Sequence, residues 1–149
     1  MSLLKMVHFL SAMTWVGGMF FAYVVLRPAV VDVLEPPQRL RLWNNVFRRF
    51  FVWVWAAVAI LLASGFYMIY LYGGFSYAPK HVHIMLALGM VMVAIYIYVY
   101  FVCYKGLSRL VAAQNWKEAV VVLGRIRKFI AINLSLGILN VCVAVLGAN

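Results

Sequence analysis

Four long stretches without a formal charge divide this chain: Met6–Leu26, Phe50–Pro79, about Val82 to Tyr104, and Phe129–Asn149. A hydrocarbon core ~30 Å thick takes about 20 helical residues at 1.5 Å each. In lipid only helices or a closed barrel satisfy the backbone, and these runs lack the period-2 alternation of barrel strands. The expected fold is all-α, a four-transmembrane-helix bundle forming a single domain, with spans at about 4–26, 50–72, 81–104 and 128–147. The second run is too long for one upright span, and Gly73-Gly74 followed by Pro79 predicts a stop near Tyr72. Only 11% of the residues are charged, against about 25% in soluble domains.

The charges sit between the runs. Arg27 to Arg49 carries five Arg and two acids, and Lys105 to Lys128 carries six Lys or Arg against Glu118. The connection before the third run has only Lys80, and the N-terminal stretch only Lys5. By the positive-inside rule both long connections are cytoplasmic and both termini outside, in a multi-pass protein of a bacterial inner (cytoplasmic) membrane. The net charge of +10 then reads as attraction to anionic head groups of the lipid bilayer and not to nucleic acid. The first run exceeds a signal-peptide core and reaches Leu26-Arg27-Pro28 without a small-residue cleavage pattern, so it is expected to be retained. Short interfacial helices are expected in both cytoplasmic loops. One starts at Pro36-Pro37 with an apolar stripe of Leu40, Trp43, Val46 and Phe47 that runs into the second span; the other carries Trp116, Val120 and Leu123, with Gly124 as its stop.

Inside this frame the ionisable groups are few. His8 lies about one turn into the first span, where an unbound imidazole is costly and marks a candidate site. With both termini outside, His81 and His83 at the start of the third span share its depth. Imidazoles from two helices at one depth can hold haem iron on both faces. His81 and His83 point about 200° apart, so only one can face His8. His83 is the deeper, and its face continues through Ala87, Met90 and Ala94, while His81 adjoins Lys80 at the head groups and is the alternate. The matching face of the first span reads Ser11, Ala12, Trp15, Gly18 and Ala22. Those small residues serve close helix packing equally well.

Eight Met residues open a copper reading, since thioether and imidazole suit Cu(I), although Met is also an ordinary gap-filler. Cys103 and Cys142 differ in depth by about 20 Å and are expected to be free thiols. Asn133 and Asn140 share a helix face with Gly137, suiting hydrogen bonds between helices or contact with a quinone. Arg48, Arg49, Arg125, Arg127 and Lys128 are inner-leaflet anchors, or the makings of an anion or quinone site. There is no Gly-rich phosphate loop, nucleophile elbow or paired carboxylate, which excludes the usual hydrolytic designs.

Lys5-x-x-His8, Trp15-Val16-Gly17-Gly18 and Leu26-Arg27-Pro28 resemble the opening of the copper-resistance D (CopD)-like membrane family. Arg48/Arg49-Phe50, Ser64-Gly65, His83-x-Met85 and the run Arg127…Asn133…Gly137 fit the same pattern, so the likeness covers most of the chain. The related HemJ-type protoporphyrinogen oxidases are small four-helix proteins that bind b-type haem and share a histidine early in the first helix, here His8. Their lysine near the third helix is met here by Lys80, His81 and His83. Their Pro-Arg-Leu…Tyr-x-His run is absent, this chain reading Arg27-Pro28-Ala29.

The resemblance implies a haem-binding redox bundle, with copper handling as the family's other assignment. The expected function is electron transfer or oxidoreduction by haem b coupled to the quinone pool. His8 and His83 are the expected axial ligands, with Ser11, Trp15 and Ala87 lining the pocket and Lys5 and Lys80 at the propionates. The alternatives are a copper permease using His and Met ligands, and an accessory subunit of a larger membrane complex. A homo-oligomer is compatible with each.

Overall fold

In the computed structural model, which describes residues 2–147, four helices occupy almost the whole chain. They are α1 (Ser2–Val33), α2 (Pro36–Leu71), α3 (Lys80–Ala112) and α4 (Trp116–Gly147), each long and apolar enough to cross a membrane. No strand occurs among the described residues. The protein is an all-α four-helix bundle. At roughly 50 Å apiece the helices overreach a ~30 Å hydrocarbon core, so each carries several turns beyond it.

The ends of these helices follow from local chemistry. Glu35 and Gln38 close a reciprocal capping box ahead of Pro36-Pro37, which satisfies backbone donors that the first turn leaves free. At the other end of α2, Gly74 N–H donates to Ile69 O and Gly73 N–H to Tyr70 O. Both glycines hold positive φ, the left-handed turn that such a double bond requires. A 3₁₀ turn at Phe75–Tyr77 then leads to Pro79 and α3. The Asn115 side chain caps α4 by accepting from Glu118 N–H.

Two local expectations are corrected. The amphipathic loop segments are helical but do not lie apart on the leaflet: the first continues into the second span as its stripe predicts, and the second runs without a break through α4. Leu40, Trp43, Phe47 and Leu123 of the expected stripes are buried against the bundle, whereas Val120 is exposed. Gly124 does not stop its helix, because Leu123 and Ile126 on either side are held in the core. Pro28 lies within α1. Residues Phe21–Leu26 widen into a π turn, and Arg27 N–H reaches back to Ala22 O. The wider turn makes room for a ring that would otherwise strike the preceding carbonyls. A second π turn, Val99–Tyr104, lies in α3 and involves no proline.

The bundle is built as two hairpins, α1 packing most extensively on α2 and α3 on α4, with α1 and α3 diagonal. Asn133 Nδ2 donates to Met92 O (3.2 Å) and Asn140 Nδ2 to Met85 O (3.3 Å), tying α4 to α3 along the expected seam. The core is uneven along the axis. Aromatic rings stack from Trp43 through Phe47 and Phe51 to Tyr96 and Trp15, the neighbours lying 5–6 Å apart. This column fills the middle and the end that carries the basic connections. At the opposite end, which carries the three histidines, only Ser11, Ser64, Ile69 and Gly137 are buried among the described residues of the outer three or so turns.

Candidate functional site

His8 projects from α1 toward α2, its ring half-buried in the hairpin. Its Nδ1 lies 2.7 Å from Ser64 Oγ. The Ser64 hydroxyl in turn donates to Ile60 O at 2.6 Å, one turn back on its own helix. A carbonyl can only accept, so the single hydroxyl proton is spent there and the imidazole must donate through Nδ1–H. Nε2 is thereby left as the unprotonated nitrogen. Gly65 lies beside the ring, and a Cβ there would stand 3.6 Å from His8 Cε1, so this face carries no side chain.

His83 shows the same chemistry on the other hairpin. Its Nδ1 donates to Pro79 O at 3.2 Å, again leaving Nε2 with a free lone pair. A hydrogen bond at one ring nitrogen that fixes the tautomer and presents the other is how metal-binding histidines are held. The Phe75 ring lies alongside at 6.3 Å.

The remaining expected residues are distributed as follows. Trp15 is buried but sits deeper, edge-on to Tyr96 at 6.0 Å, as the top of the aromatic column. Ser11 is buried with its hydroxyl donated to Val7 O. Lys5 and Lys80 are exposed at the same end as the histidines. His83 and Ala87 are exposed, with Met90 and Ala94 on the same face, so that face is turned out of the packed interior. His81 is half-buried and lies against Gly147 of α4. His8 and His83 thus have different partners on different hairpins. Among the described residues no three His, Cys, Asp or Glu side chains gather as a metal cluster. Both cysteines are free.

Ser64 is the residue that reasoning from charge and spacing passed over as a partner for His8. A lone serine seven residues before a helix stop reads as a small packing residue. Its pairing with Gly65 was the available signal, since the two together give the imidazole one acceptor and one open face.

Residues 44–146 match the family described as Copper resistance protein D. The chain belongs to that family. No curated protein and no solved structure matches it. The matched segment of this CopD-family protein includes Ser64, Gly65, His81 and His83, while His8 lies ahead of it.

Each hairpin carries one imidazole whose Nδ1 is engaged and whose Nε2 is open to a ligand, that of His83 on a face turned out of the interior. Two neutral Nε2 atoms suit haem iron or copper.

Proposed function

We propose that this CopD-family protein binds haem b at the histidine end and serves as a membrane redox carrier. His8 supplies Nε2 from the first hairpin and His83 supplies it from the second, with His81 as the alternate. The observation that carries this reading is the His8–Ser64–Ile60 chain of hydrogen bonds, which commits Nδ1 as donor and leaves Nε2 for a metal. Bound haem iron supplies one-electron chemistry at a potential set by its axial ligands and surroundings. Ser64 orients the imidazole, and Lys5 and Lys80 pair with the propionates. The quinone pool is the exchange partner reached from within the bilayer. A protoporphyrinogen-oxidase-like reaction would use the same centre.

The family's description favours a second reading, in which the same two Nε2 atoms take copper with help from Met side chains. In a third, the chain is an accessory subunit of a larger membrane complex.

An absorbance spectrum of the detergent-purified full chain, oxidised and then reduced with dithionite, tests the proposal. A Soret band with a sharpened α band on reduction is expected, lost in His8→Ala and altered in His83→Ala. A protein that stays colourless after incubation with haemin overturns the haem reading. Stoichiometric Cu(I) binding without haem then supports the copper one.

A further inference from the structure

Five oxidisable rings form an unbroken series through the middle of the bundle toward its basic end. Trp15 of α1 meets Tyr96 of α3 with ring centroids 6.0 Å apart. Tyr96 meets Trp55 of α2 at 5.0 Å, and Trp55 meets Tyr100 at 5.4 Å. Tyr100 meets Tyr104 at 5.6 Å. Every step is a direct ring contact. Trp15 stands two turns below His8, ~10 Å along the axis. Tyr104 adjoins Lys105, the first cation of the second basic connection.

Packing asks only for bulk, which phenyl rings supply equally well. Indole and phenol differ from phenyl in giving up one electron to a strong oxidant. Their surroundings then divide the labour. An oxidised indole can keep its N–H proton, so Trp15 and Trp55 can each hold an electron vacancy inside the bundle. A phenol gives up its electron only as its proton departs. Tyr96 is 3% exposed and donates that proton to Phe51 O, a carbonyl that cannot carry it away. The Lys105 ammonium lies 5.8 Å from the centroid of the Tyr100 ring, which disfavours positive charge there. Tyr96 and Tyr100 are therefore bridges between stations. Tyr104 is half-buried at the edge of the span, where its proton can leave to water.

We infer that this series carries single electrons from the basic end of the bundle toward a metal centre at the histidine end that a peroxide has oxidised. The inference rests on the metal reading above. A hydroquinone at the basic end gives up two electrons and two protons in two steps and becomes a quinone. The electrons pass one at a time through Tyr104, Trp55 and Trp15. Hydrogen peroxide takes them up at the other end with two protons and leaves as two waters. Indole and phenol require so strong an oxidant that the series is silent in an ordinary haem or copper cycle. It conducts when the centre would otherwise oxidise its own ligands.

The test needs neither haem nor copper. A ruthenium(II) polypyridyl label is attached to Thr14→Cys, an exposed position next to Trp15, in a Cys142→Ser background with Cys103 buried. A flash with a cobalt(III) ammine as acceptor leaves ruthenium(III), which takes an electron from Trp15. The vacancy moves to Trp55 and ends as a tyrosyl radical at Tyr104, its proton lost to water and one cobalt(II) formed. Transient absorption and electron paramagnetic resonance of the labelled full chain in detergent read that radical. It is expected in the parent, in Tyr96→Phe, and in Trp53→Phe, an exposed indole outside the series. It should be lost in Trp55→Phe and in Tyr104→Phe. Equal tyrosyl yields in the parent and Trp55→Phe overturn the inference, as does a parent radical that stays on indole. Tyr96→Phe is the variant that loses a hydrogen bond between hairpins, so a yield that follows melting temperature also overturns it. A dead path in a chain that binds haem sinks this inference alone. A live path in a chain that binds neither haem nor copper sinks the metal reading, and the peroxide role with it.

Discussion

The Tyr96 hydroxyl donates to the Phe51 carbonyl at 3.1 Å, joining α3 to α2 across the interior of the bundle. It ties one hairpin to the other, whereas the bonds of His8, Asn133 and Asn140 lie within hairpins. Tyr96→Phe keeps the ring against Trp15, Phe51 and Trp55 and removes only the hydroxyl. It should cost about 1 kcal/mol, measured by unfolding in mixed micelles. Tyr96→Ala should cost about 3–5 kcal/mol, because the ring packing is lost too.

Ser64→Ala removes the acceptor that fixes the His8 ring. Metal or haem affinity should fall by about 10–100-fold, with little change in melting temperature, since the imidazole can still pack in the hairpin. Titration of the purified protein with haemin and with Cu(I) reads the effect directly. A serine that matters only for packing would shift stability and leave affinity alone.

Gly65→Ala should be tolerated, its Cβ meeting His8 Cε1 at ordinary contact distance. Gly65→Leu should close the open face of the ring and block loading. Retention of ligand by Gly65→Leu would show that the ligand approaches from another side.

A Cβ at Gly137 would stand 2.8 Å from Val16 Cγ2 and 3.2 Å from Met92 Cε, where α4 meets α1 and α3. Gly137→Ala should therefore destabilise the bundle by about 1–3 kcal/mol, and Val16→Ala should recover part of the loss in the double variant. Gly17, with open space around its position, should accept alanine without penalty. The four melting curves form one comparison.

Alkaline phosphatase fused to the C-terminus should be active in cells, and a fluorescent protein inserted at Gln114 should also be active. That pair of outcomes is what positive-inside orientation demands of the two basic connections.

The gross architecture was legible because lipid leaves so few options. The four uncharged runs, the glycine pair that ends α2 and the Asn133–Asn140 seam all follow from run length and helix period. What stayed hidden is the rotation of each helix against its neighbours. Period alone puts His83, Ala87 and Met90 on one face, but which helix that face meets depends on the order of the four around the bundle. For the same reason Ser64 could not be named as the partner of His8. Arg127 was grouped with its sequence neighbours, whereas the fold sets it beside Arg27 and Trp43, residues some 100 and 84 positions away. Gly124 misled because a local breaking signal was outweighed by the burial of Leu123 and Ile126 on either side.

The pairing of α1 with α2 and of α3 with α4 has a consequence for how the molecule can be put together. The turn at Gly74 and Phe75 is the one place where a cut leaves each half with its principal packing partner. Two separately expressed polypeptides, divided there, should insert as independent units and recombine in the bilayer into a working whole, as a fissioned gene would require.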